Sequence, residues 1–241
     1  MPRHFFLLLV LALCLATRLT TAADAPILVP APKDSNEWKT KHEAYVAAAR
    51  QGGIDLLFVG DSITEFWGAE GKNVWDQHYA PLKAAHFGIA ADKVENVLWR
   101  LQNGELDIAL KPKLLVLLAG INNSWGCKRE DFENRGAFIA NGIGETVTFI
   151  RKKLPDTKIL VLAMFPLGDG MAPAVRIANQ RIAALADNAT VFVLDLGATL
   201  SDANGNLAPE LTTDGTHLTA KGYQIWADGM AAMLQKILPS K

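Results

Sequence analysis

The sequence Leu56-Leu57-Phe58-Val59-Gly60-Asp61-Ser62-Ile63-Thr64 sets the fold class. A short apolar run breaks abruptly into Gly-Asp-Ser. An uninterrupted run of this kind predicts a strand buried on both faces, as in a parallel sheet covered by helices. The break puts Ser62 just past the C-terminal end of that strand, which is where open α/β sheets bind ligands. Two roles compete for this serine. Ahead of Ile63-Thr64-Glu65 it is a good helix N-cap. It is equally well placed to be a nucleophile, provided that a base and an oxyanion site exist elsewhere in the chain.

The same pattern repeats along the chain. Residues 84–87, 114–118, 158–164 and 191–194 are further apolar strand-like runs. Helical segments separate them, at 37–50, 73–82, from Asp92 to the stop at Gly104, 131–154, 173–186 and 219–238. The long one carries Phe132, Ile139, Ile143, Val147, Ile150 and Leu154 at helical spacing. Asp92-Lys93-Val94-Glu95 reads as a capping box. Five strands alternating with helices predict an α/β fold with a parallel sheet between helix layers.

The chain has 241 residues, of which 50% are hydrophobic and 20% charged, enough for one domain with a sizeable core. A net charge of -1 offers no basic surface for nucleic acid. Residues 1–23 read as a secretory signal peptide: Arg3 and His4, an apolar run from Phe5 to Ala16, then Thr20-Thr21-Ala22-Ala23. A lipoprotein signal at Cys14 is disfavoured by Leu13. Cleavage would remove Arg3 and Arg18, leaving 22 basic against 25 acidic residues. It would also leave Cys127 as the one cysteine, which allows no internal disulfide. The expected mature protein is secreted or periplasmic, with no stable membrane insertion. Residues 24–36, with Pro26, Pro30 and Pro32, form an extended lead-in, and 37–241 a single domain.

A nucleophilic serine needs a base. His217 lies in Asp214-Gly215-Thr216-His217-Leu218-Thr219, just before the last helix. One tight turn would bring the Asp214 carboxylate against the imidazole, leaving the other ring nitrogen to take a proton. A surface histidine ahead of a Thr-capped helix is the plainer alternative, and His86 is the second candidate base. His42 and His78 read as packed or solvated. Gly88 and Gly120-Ile121-Asn122-Asn123 each follow a strand, so a backbone N–H and Asn amides could serve as oxyanion donors. Gly and Asn are also ordinary loop residues. Gly168-Asp169-Gly170 reads as a loop. No zinc-ligand spacing, phosphate loop or dinucleotide fingerprint appears, so no metal and no cofactor is expected.

Taken together, the chain resembles the SGNH (GDSL-type) hydrolases. Gly60-Asp61-Ser62-Ile63-Thr64 looks like the first family block, Phe87-Gly88-Ile89 the second, Gly120-Ile121-Asn122-Asn123 the third and Asp214-Gly215-Thr216-His217-Leu218 the last. A closer resemblance is to platelet-activating-factor acetylhydrolase Ib catalytic-subunit-like esterases. Asp92, Val97-Leu98-Trp99-Arg100-Leu101 and Asn103-Gly104-Glu105-Leu106 carry it. The resemblance implies a flavodoxin-like three-layer α/β/α sandwich with a five-stranded parallel sheet. It implies Ser62 as nucleophile, His217 as base and Asp214 as acid. The Ser62 and Gly88 backbone N–H groups and the Asn122 amide would form the oxyanion hole. Ile63, Ile121, Asn123 and Thr216 are the residues expected at the acyl pocket. Ala90-Ala91 departs from the glycines usual after the second block, and Thr216 from a leucine.

The expected activity is hydrolysis of short-chain, acetyl-type carboxylic esters through an acyl-enzyme. The substrate would be a small ester, an acetylated carbohydrate or a lipid such as platelet-activating factor. An O-acyltransferase using the same serine, a longer-chain lipase or lysophospholipase, and a non-catalytic binding protein are the competing expectations. A homodimer follows from the resemblance alone.

Overall fold

Strand β1 (Leu56–Gly60) is buried along its whole length, as its unbroken apolar run requires. The computed structural model describes residues 27–167 and 172–238. β1 is joined by β2 (Ala84–Gly88), β3 (Leu114–Leu118), β4 (Lys158–Leu162) and β5 (Val191–Leu194). The order is β2-β1-β3-β4-β5 and every neighbouring pair is parallel. This is the flavodoxin-like order, which reverses direction at β1 and β3. Gly60 stands beside Gly88 on one side and Leu118 on the other, so three strands end at one level.

The helices, in chain order, are α1 (Asn36–Gln51), α2 (Ser62–Glu65), α3 (Lys72–His78), α4 (Val94–Arg100) and α5 (Ile121–Ser124). They continue with α6 (Phe132–Lys153), α7 (Ala172–Ile182), α8 (Gly197–Leu200) and α9 (Ala220–Ile237). One group packs α6 between α4 and α7, and the other packs α9 against α3 and α8. Phe58 shows why both faces of β1 must be apolar. Its ring lies 4.9–6.1 Å from the rings of Tyr79, Trp75, Trp67 and Trp226, while Leu57 and Val59 point to the opposite face. Burying a side chain of this size contributes about 2–3 kcal/mol. No helix among the described residues is long and apolar enough to cross a membrane.

Several boundaries differ from the sequence reading, each for a local reason. α3 stops at His78 and a 3₁₀ turn follows at Ala80–Leu82, because Pro81 has no N–H to continue an α-helix. α4 loosens at Arg100 into a wider turn, Leu101–Glu105, in which Gly104 takes a φ of 114°. β4 ends at Leu162, two residues short of the predicted end. The short helices α5 and α8 were not expected, since one helical turn has no periodicity to read. The predicted capping box does not form at Asp92. Lys93 is the N-cap residue, and its N–H donates to Asn96 Oδ1 at 3.0 Å. The Asp92 carboxylate is fully buried and bonded to Trp38 and Arg100 instead. Within the described part of the lead-in, residues 27–35 form no helix or strand. Leu28 is buried, and Ala31 exchanges hydrogen bonds with Glu95 and Asn96 of α4. The proposed signal segment 1–23 and the Gly168-Asp169-Gly170 loop lie outside the described residues.

Candidate active site

The chain leaves β1 at Gly60 and enters α2 through Asp61. Asp61 Oδ1 accepts from the Ile63 N–H at 3.0 Å, so Asp61 is the cap and Ser62 is the first helical residue. The N-cap alternative for Ser62 is therefore already filled by its neighbour, and the Ser62 hydroxyl is left for other work. His217 Nε2 stands 2.8 Å from Ser62 Oγ, across 155 residues of chain. Asp214 Oδ2 stands 2.6 Å from His217 Nδ1.

The Asp214 carboxylate also builds the turn that presents the histidine. Its Oδ1 accepts from the Thr216 and His217 N–H groups at 2.9 and 2.8 Å. Thr212 Oγ1 accepts from the N–H of Gly215 at 3.0 Å, and Thr219 caps α9 directly behind. Partial burial opposes the charge on Asp214, but the His217 ring and these two N–H groups outweigh it and hold its pKa down to about 2. At neutral pH the carboxylate is ionised and fixes a proton on Nδ1, which leaves Nε2 as the acceptor facing Ser62. Phe66 packs its ring 5.0 Å from that of His217, and Tyr223 of α9 donates its hydroxyl to Ile63 O at 2.7 Å. Neither was predicted at the site, because sequence spacing does not reveal which aromatic meets which loop.

The two other predicted loops converge on the same edge. Gly88 ends β2 against the turn that carries Ser62. A Cβ on it would fall 2.2 Å from Glu65 N and 2.7 Å from Asp61 O, so only glycine fits. Asn122 lies half-buried on α5. Its Nδ2 donates to the Asp92 carbonyl at 2.9 Å, which uses one of that nitrogen's two hydrogens. His86 packs edge-on against Trp75, and the histidine facing Ser62 is His217. His42 is buried and pairs with Glu105.

Three of the four residues expected at the acyl pocket are buried. Ile63 and Ile121 are 1% and 2% exposed and belong to the main core. Asn123 is buried as well. Its Oδ1 accepts from Val94 N at 2.9 Å and its Nδ2 donates to Glu95 at 2.8 Å, so it ties α5 to the start of α4. A residue next to a functional one on a single helical turn faces a different way. Thr216 remains partly exposed beside His217. Cys127 is buried. Among the described residues no group of three or more His, Cys, Asp or Glu side chains is placed to hold a metal ion.

Comparison with known proteins places the chain among relatives. A family model described as the GDSL-like Lipase/Acylhydrolase family matches residues 58–225. Platelet-activating factor acetylhydrolase IB subunit alpha2 of Rattus norvegicus is 33% identical over 193 residues, 78% of this chain and 79% of that protein. A GDSL-like lipase from Bacteroides thetaiotaomicron superposes with a TM-score of 0.66 at 19% identity, covering 82% of this chain and 98% of that one. An acetylxylan esterase from Geobacillus stearothermophilus gives 0.58 at 20% identity, covering 78% and 96%. The two solved structures bear on the fold alone, and it is the one seen here.

Proposed function

The chain belongs to the GDSL-like lipase/acylhydrolase family and is a carboxylic ester hydrolase, and from that premise we propose that Ser62 is its nucleophile, His217 its general base and Asp214 the acid that orients the base. The observation that carries this reading is the unbroken chain from Asp214 through His217 to Ser62, with contacts of 2.6 and 2.8 Å. In the proposed reaction Ser62 Oγ attacks the ester carbonyl carbon while its proton passes to His217 Nε2. The carbonyl oxygen becomes an oxyanion and accepts from the Ser62 and Gly88 backbone N–H groups and the Asn122 amide. Removing one such donor costs roughly 3–4 kcal/mol of transition-state stabilisation. The tetrahedral adduct collapses, and His217 protonates the departing alcohol. A water molecule, activated by the same nitrogen, then releases the carboxylic acid and frees Ser62.

The proposed substrates are short acyl esters, acetyl above all. The relative named as a platelet-activating factor acetylhydrolase supports an acetyl group. Trp125, 51% exposed just beyond the Asn122 turn, offers a flat apolar face of the kind a sugar ring stacks on. The apolar run and small residues within 1–23 support export, which makes an extracellular acetylated carbohydrate the favoured polymer. The test is a chain-length series of p-nitrophenyl esters, followed by acetate release from acetylated xylan. Turnover should peak at two to four carbons, with kcat/KM about tenfold or more lower at eight. A preference for eight carbons or more would overturn the short-chain reading.

A further inference from the structure

Behind the candidate site lies an arginine with no exposed surface. Arg100, at the end of α4, spends every nitrogen on a buried acceptor. Nε donates to Asp92 Oδ2 at 2.7 Å and Nη1 to Glu105 Oε2. Nη2 donates to two main-chain carbonyls, Gly60 O at 3.0 Å and Phe87 O at 3.2 Å. Gly60 lies two residues before Ser62. The Phe87 carbonyl belongs to the same planar peptide as the Gly88 N–H, and in a trans peptide the two point in opposite directions. Holding that carbonyl from one side therefore aims the Gly88 N–H to the other, and a cationic donor on the carbonyl strengthens the opposed N–H.

The network reaches the other donor as well. Asp92 is fixed by Arg100 and by Trp38 Nε1 at 2.8 Å, and its main-chain carbonyl holds Asn122 Nδ2 at 2.9 Å. Glu105 is fixed in turn by His42 Nδ1 at 2.9 Å. Buried charge networks of this kind are seldom more stabilising than apolar side chains of equal volume. A charge alone would also not need the fork that meets two carboxylates and two carbonyls at once, which only arginine has.

We propose that Arg100 is a positioning residue for the oxyanion donors: it clamps the ends of β1 and β2 and, through Asp92, sets the Asn122 amide. The inference rests on the oxyanion role given above to Gly88 and Asn122. Arg100→Lys keeps the positive charge and loses the fork. With a short-chain p-nitrophenyl ester, well below the unfolding temperature of each variant, kcat should fall about 20-fold or more while KM stays within about twofold. In an Asn122→Ala background the same change should cost no more than about fivefold, because one donor that it sets is already gone. A folded Arg100→Lys enzyme with wild-type kcat, or with an equal loss in both backgrounds, would overturn the proposal. If Arg100→Lys does not fold, Glu105→Gln takes its place. It should lower kcat about threefold or more with the same dependence on Asn122, and wild-type kcat in that variant would overturn the proposal equally. An Asn122→Ala enzyme with unchanged kcat would remove the oxyanion reading and this inference together. A slowed Asn122→Ala enzyme beside an unaffected arginine variant would remove this inference alone.

Discussion

Ser62 owes its free hydroxyl to Asp61, which caps α2 in its place. Asp61 is fully buried, and its Oδ2 has no protein partner. Burial, with a smaller push from the Asp92 charge, raises its carboxyl to about 7 against the cap bond from Ile63. The folded state therefore keeps a proton that the unfolded chain releases near pH 4. Asp61's share of stability is complete below that value and is lost as pH rises toward 7. Asp61→Asn keeps the capping oxygen and removes the titration. Urea unfolding at pH 5 and pH 8 should show wild type losing ground to Asp61→Asn as pH rises, and a pH-independent difference would contradict this. Ser62, Asp214 and His217 were legible as residues because each sits in a short motif at a strand or helix end. Arg100 was not, because an arginine in an amphipathic helix reads as solvated until the fold surrounds it. For Ile63 and Asn123, both buried, the motif gives the position but not the direction each side chain faces.

At the scale of elements, the site depends on how closely β2 approaches α2. Gly88→Ala would drive a methyl into the Glu65 and Asp61 backbone, neither of which can move without displacing Ser62. The expected cost is about 3 kcal/mol of stability, with esterase activity lost, read by thermal melting and ester turnover. A fully active, equally stable variant would mean that β2 sits further from α2 than described. The loop after β2 holds Ala91 at a φ of 61°, the left-handed region that favours glycine. This is one of the two positions where the sequence departs from the glycines of its resemblance. Ala91→Gly should raise stability by about 0.5–1 kcal/mol in urea unfolding, less if the added freedom of the unfolded chain offsets the relief. The strands were legible because each is a bounded apolar run, and the long helix α6 because its period persists. The one-turn helix α5, which carries Asn122, was not, since tertiary contacts and not periodicity hold it.

For the whole molecule, the strand order is what turns separate motifs into a site. β1, β2 and β3 end side by side, so Ser62, Gly88 and Asn122 are brought to one edge although each belongs to the end of a different strand. The loop before α9 then brings Asp214 and His217 over the same edge. The order of the motifs along the chain made a common edge legible in the sequence. The distances, and the buried arginine network behind them, come only from packing. Trapping shows whether Ser62 Oγ carries the acyl group. The protein is treated with an active-site-directed organophosphonate, digested, and the adduct located by mass spectrometry. The expected result is a single adduct on the peptide bearing Ser62, loss of ester turnover in step with labelling, and neither labelling nor turnover in Ser62→Ala. Labelling at another residue, or a Ser62→Ala protein that still hydrolyses esters at the wild-type rate, would contradict it.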